Sequence, residues 1–142
     1  MLLLILTTLL AITGLISFKD SVITADRLPD TARSFIDEYF HDNSISYIKK
    51  DRKLTKTSYE VVLQDGSEIG FNKTGEWDNI DCKRNPVPAA LVPDAIAEFV
   101  LEHFPGQQVV KIERETFGYG IELSGDLELR FDKNGKLLHV DD

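Results

Sequence analysis

The sequence predicts an α+β protein: two tandem helix-plus-antiparallel-sheet repeats, with the helices packed on one sheet face. Three observations predict it. Residues 22–51 shifted by 64 positions lie over 86–115, and residues 59–81 shifted by 60 lie over 119–141 without a gap. Each half then carries one apolar stripe at helical spacing, followed by segments that alternate apolar and polar. Glycine-bearing loops between those segments set their parity, so the large apolar side chains collect on one side.

The chain opens on a stretch of a different kind. It has 142 residues, and none of the first eighteen carries a charged side chain. Leu2 to Ile16 is apolar throughout, a length that suits a secretory leader and is short for a bilayer span. Residues 1–17 are therefore read as a signal peptide, with cleavage near Ser17. A competing site after Ala25 would cut into the first repeat, which begins by Val22. The expected organisation is 1–17 leader, 18–84 first unit and 85–142 second unit, each with one helix and four strands. The expected location is the periplasm or exterior of a Gram-negative cell, with no membrane span in the mature chain.

Helices follow from two matched segments. Pro29 and Pro93 stand where a helix starts, since proline lacks only an N–H that would go unpaired there. Asp30 and Asp94 come next and suit the N-terminal end of the helix dipole. Ala32, Phe35, Ile36, Tyr39 and Phe40 form one apolar stripe; Ile96, Phe99, Val100, His103 and Phe104 form the other.

Strands are expected at about 45–51, 58–64, 67–72 and 76–81, then 108–115, 118–124, 127–132 and 136–140. Reading Gln64-Asp65-Gly66 as a three-residue loop pairs Val61 with Ile69. Lys73-Thr74-Gly75 and Lys133-Asn134-Gly135 behave alike, setting Phe71 beside Trp77 and Phe131 beside Leu137. One sheet face then holds Tyr59, Val61, Leu63, Ile69, Phe71, Ile121, Leu123, Leu129 and Phe131, and takes the helices. The other holds Glu60, Val62, Glu68, Glu122, Glu128, Arg130 and Asp132, with Tyr47 placed there because Ile48 points inward.

The ordered motifs Leu28-Pro29, Tyr59-Glu60-Val61, Asp65-Gly66-Ser67-Glu68-Ile69, Trp77, Leu91-Val92-Pro93 and Lys111-Ile112-Glu113 resemble the PepSY-like, β-lactamase-inhibitor-like family of small exported bacterial proteins. The resemblance runs from about Val22 to Asp142. It implies the same two side-by-side units and an exposed sheet face as contact surface. It carries over no catalytic residue.

Composition narrows the function. With 16 Lys+Arg against 24 Asp+Glu the net charge is -8, which argues against nucleic acid. The single cysteine, Cys82, can close no internal disulfide. Lys83 and Arg84 beside it would tend to lower its thiol pKa, but a small half-buried residue at the junction of the units is the reading preferred. His41, His103 and His139 are too scattered for a metal site, and His103 reads as a packing residue. Asp132-Lys133-Asn134-Gly135 lacks the later ligands of a calcium loop and is explained as a hairpin turn. No metal and no cofactor are expected, and no catalytic set. The expectation is a non-catalytic module that contacts a protein or peptide through the acidic face, at Glu60, Val62, Glu68, Glu122 and Arg130. The alternative is a small ligand held at the seam between the units, near Trp77, Cys82 and Val87. Oligomeric state is left open.

Overall fold

The structure, a computed structural model, describes residues 20–142. The leader and its cleavage near Ser17 lie outside the described residues. Nine strands follow in chain order: β1 (Ser21–Ile23), β2 (Ile45–Lys53), β3 (Lys56–Leu63), β4 (Glu68–Asn72), β5 (Trp77–Asp81), β6 (Val109–Arg114), β7 (Gly118–Leu123), β8 (Glu128–Asp132) and β9 (Leu137–Asp141). Two helices, α1 (Asp30–Tyr39) and α2 (Asp94–His103), interrupt them, each preceded by a three-residue 3-10 turn.

The expected pair of tandem units is overturned. All nine strands form one antiparallel sheet in the order β1 to β9. Strands β5 and β6 pair directly, with Asn79 opposite Glu113, Ile80 opposite Ile112 and Asp81 opposite Lys111. The described residues hold far more strand than helix, with two ten-residue helices among them. The physical reason lies in the β5 edge. Left open, it would present a row of unpaired N–H and C=O groups beside a buried apolar face. Pairing with β6 satisfies those groups and makes one core.

That core is legible as a single register row. Ile23, Ile48, Val61, Ile69, Ile80, Ile112, Ile121, Leu129 and Val140 stand opposite one another across the whole sheet. All but the two end members are buried. The helices lie on this face. Ala32 and Ile36 of α1 and Ile96 and Val100 of α2 are buried against it. Phe35 meets Phe71 edge-on at 5.7 Å, and Phe99 meets Phe131 in the same way at 5.3 Å.

Hairpins and helices are fitted together. Gly66, Gly75 and Gly135 have φ of 90°, 88° and 82°, the left-handed loop position expected of them. Val61 pairs with Ile69, Phe71 with Trp77 and Phe131 with Leu137, as the loop chemistry requires. Gly75 also lies under the start of α1: a Cβ there would stand 2.9 Å from Pro29 Cβ and 3.0 Å from the Ala32 nitrogen. The Pro29 and Pro93 carbonyls accept the first helical bonds, from Arg33 at 3.1 Å and Ala97 at 3.0 Å.

Strand β1 is an addition. Its three residues pair with Ile48–Lys50 of β2 and give the sheet a ninth strand. Three residues are too few to show an alternating pattern.

Candidate functional site

Opposite the helices lies the polar sheet face. Register builds it from two rows. One runs Tyr47, Val62, Glu68, Asp81, Lys111, Glu122, Glu128 and Asp141. The other runs Lys49, Glu60, Gly70, Asn79, Glu113, Gly120, Arg130 and His139. Glu60, Val62, Glu68, Glu122 and Arg130 thus all belong to this one face, spread over strands β3, β4, β7 and β8. They do not converge on a point.

Their environments differ. Arg130 is exposed, while Glu60, Glu68 and Glu122 are half-buried among their neighbours. Val62 is 8% exposed, so it contributes almost no contact area. The face is also less acidic than the alternating positions imply. Lys83 Nζ lies 3.0 Å from Asp81 and 3.3 Å from Glu68, and Lys111 Nζ lies 2.9 Å from Glu113. The hydrogen bond to Asp81 holds the Lys83 ammonium above its ordinary pKa, and the one to Glu113 does the same for Lys111. Burial alone would raise the Asp81 pKa, but bonds from the Lys83 backbone N–H and ammonium outweigh it and hold the carboxyl low. Sequence reasoning missed Lys49, Asp81, Asn79 and Lys111 as members of the face. Lys49 follows from the β2–β3 register opposite Glu60, and Asn79 and Asp81 from the bulged β4–β5 pairing; Lys111 needs the β5–β6 register, which no short loop encodes.

Two glycines shape the surface. Gly70 and Gly120 sit on this face, and a depression lies at each. The one at Gly70, about 270 Å³, is bordered by Lys49, Glu60, Asp78 and Asn79. The one at Gly120, about 300 Å³, is bordered by Glu113, Glu115, Glu122, Glu128, Arg130 and Phe117. A Cβ on Gly70 would meet Asp78 Oδ1 at 2.8 Å, so no larger residue fits there unmoved. Asn79 Oδ1 is buried with no hydrogen-bond partner among the described residues, an arrangement that costs stability unless a donor arrives.

The seam looks different from the expectation. Cys82 and Val87 are 3% and 4% exposed and belong to the core. Burial pushes the Cys82 thiol up to about 11, outweighing the hydrogen bond with Ser67 that favours the thiolate. Lys83 is committed to Asp81 and Glu68 and does not activate it. The open space near the seam is instead on the helix side, a cleft of about 510 Å³ between α1 and the Ala89–Leu91 turn. Phe35, Tyr39, Trp77 and Leu91 line it. Arg114 crosses from β6 to stack 3.8 Å above the Trp77 ring, and donates to the Trp77 carbonyl at 3.1 Å.

The remaining candidates have structural roles. Asp132 Oδ1 accepts the backbone N–H groups of Asn134 at 2.8 Å and Lys136 at 2.9 Å, closing its hairpin. His103 stacks on Phe99 at 4.3 Å, with half its side chain exposed. Among the described residues, no group of three or more His, Cys, Asp or Glu is placed to hold a metal ion. No helix among them is long and apolar enough to cross a membrane.

Known proteins resemble this arrangement. The family described as "Putative beta-lactamase-inhibitor-like, PepSY-like" matches residues 57–139. Three solved structures superpose closely. A protein of Bacteroides thetaiotaomicron, described as a putative calcium-regulated periplasmic protein, is 35% identical with a TM-score of 0.84, over 87% of this chain and 97% of its own. A putative periplasmic protein of unknown function from Bacteroides vulgatus is 40% identical with a TM-score of 0.83, over 87% and 100%. A second protein described as periplasmic from the same species is 34% identical with a TM-score of 0.84, over 89% and 99%. No curated protein matches the chain. The periplasmic location read from the leader is the location these relatives share. By sequence match and by fold, the chain belongs to the PepSY-like, β-lactamase-inhibitor-like family.

Proposed function

We propose that the chain is a non-catalytic periplasmic binding module, and that it takes a basic segment of a protein or peptide on its polar sheet face. The observation that carries this is the pair of glycine-floored depressions. Their borders are rich in acceptors: Glu60 and Asp78 at one, and four glutamates at the other. The unpaired Asn79 acceptor lies beside the first. A Lys or Arg side chain brings donors to borders where carboxylates outnumber the resident Lys49, Lys56, Lys111 and Arg130, and its aliphatic stem fills the space above a glycine. Of the residues expected from the sequence, Glu60 and Glu122 keep this role, with Arg130 at the edge. Glu68 is held by Lys83, and Val62 supports from beneath.

The test is neutralisation without new repulsion. Glu60→Gln with Glu122→Gln removes two charges and keeps their shapes. Cross-linking capture from a periplasmic extract should lose its main partner, with the larger loss at low salt, where such attraction is least screened. Unchanged capture at every salt concentration would leave the face as solvated surface.

A second reading rests on the cleft at Trp77. Its aromatic lining and the Arg114 guanidinium suit a small amphipathic ligand. A thermal-shift screen separates the two readings, because a ligand there stabilises wild type and the double variant alike but not Trp77→Leu.

A further inference from the structure

Strand β9 is an open edge, since among the described residues nothing pairs with its outer side. Its backbone can be traced. The Leu123 N–H donates to the Leu127 carbonyl at 2.9 Å, and Ile121 stands opposite Leu129 two residues on. Leu129 therefore exchanges its backbone bonds with β7. Val140, opposite Leu129 on β9, is left with its N–H and C=O directed away from the sheet. Its side chain is 42% exposed, at the end of a row whose inner members are buried. On the other face His139 and Asp141 flank it, with Nε2 and Oδ1 2.8 Å apart. The strand has no proline and one bulge, so beyond its five-residue length and the charge of Asp141 little guards this edge.

We propose that β9 pairs with β9 of a second copy of the chain, antiparallel about a two-fold axis at Val140. In this register the two Val140 residues exchange both backbone hydrogen bonds, using the groups left outward. The Val140 side chains cover each other on the helix face. On the polar face each His139 stands opposite the other copy's Asp141, so a ring N–H meets a carboxylate twice. Centring the axis on His139 instead would set each His139 against the other copy's His139 and lose both His139–Asp141 contacts, so the register at Val140 is the complementary one. The contact is self-complementary and closes after two copies. Five residues of edge bury less than the roughly 1,200 Å² of a standard interface, so the dimer is weak and forms with concentration.

Sedimentation velocity on the protein purified from the periplasm tests this. Mass should rise from one copy toward two between micromolar protein and about 1 mM. Val140→Pro removes the outward N–H together with the Val140 side-chain contact, a change an edge strand accepts; its circular dichroism should match wild type and it should stay monomeric throughout. His139→Asp opposes two carboxylates and should weaken association at least about tenfold, while adding Asp141→Lys to it should restore association. A wild-type monomer at about 1 mM, a dimer indifferent to all three variants, or growth beyond two copies through the β1 edge would each overturn the proposal.

Discussion

Replacing Ile112 by Ala tests whether the β5–β6 pairing makes one cooperative body. Ile112 is 0% exposed and stands between Ile80 and Ile121 in the central row. The change removes three carbons, worth about 0.8 kcal/mol each in lost transfer energy, or roughly 2.4 kcal/mol. A site walled by paired strands collapses poorly, so the cavity brings the loss to about 3–4 kcal/mol, within the usual 2–5. The assay is urea unfolding with two probes. Trp77, the single tryptophan, reports from β5 on the far side of the seam. Far-UV circular dichroism reports on the whole sheet. Both should shift together to a lower midpoint with an unchanged slope, because the sheet unfolds as one. If the Trp77 transition holds at its wild-type midpoint while the dichroism splits into two steps, the halves are separate units and the reasoning from a shared core is wrong.

Other expectations follow from single residues. Gly66→Ala, with nothing within 4 Å of the new Cβ, should cost about 1 kcal/mol from its left-handed φ alone, whereas Gly75→Ala adds the contact with Pro29 and Ala32 and should cost distinctly more; chemical denaturation of the two side by side measures the difference. Cys82 should resist alkylation at pH 8 in the native protein and react readily in urea, as mass spectrometry will read. Because its folded pKa is raised from 9.0 to about 11, the unfolded thiol releases its proton first, so stability falls as pH rises through that window, and Cys82→Ala should flatten this slope. Asp81 has the opposite sign: its folded pKa lies below 3.8, so its contribution is present above that value and lost as pH falls, and Asp81→Asn should reduce the acid sensitivity of the melting temperature.

Local chemistry made much of the sheet legible. A three-residue loop ending in a left-handed glycine fixes the register of the strands it joins, so Phe71 could be set beside Trp77 from the sequence. The helix starts were equally clear, because proline followed by aspartate has few other uses. What the sequence hid was the link from Asp81 to Val109. No tight turn spans it, and the strands it joins are separated by a 3-10 turn and all of α2. Without that register the chain reads as two bodies and the polar face as two half-faces. Parity alone put Glu60, Val62, Glu68, Glu122 and Arg130 on one side. It could not tell that Val62 is buried, or that Lys83, beyond the end of β5, reaches Glu68 on β4. Cys82 reads from the sequence as a small packing residue despite its basic neighbours, and it is one, buried further than expected at 3% exposure, so that desolvation dominates its thiol.

The order β1 to β9 has a further consequence, for how the molecule assembles. Every strand pairs only with those adjacent to it in the chain, and no strand waits for a distant one. The loop-closure entropy is therefore small at the six hairpins and larger only at β1–β2 and β5–β6, where a helix intervenes, and the fold belongs among those that form quickly for their strand content. Such a sheet can grow one strand at a time along the chain. Each new strand then finds its template already in place, and the edge exposed to misassembly advances with it while the β1 edge stays where it began.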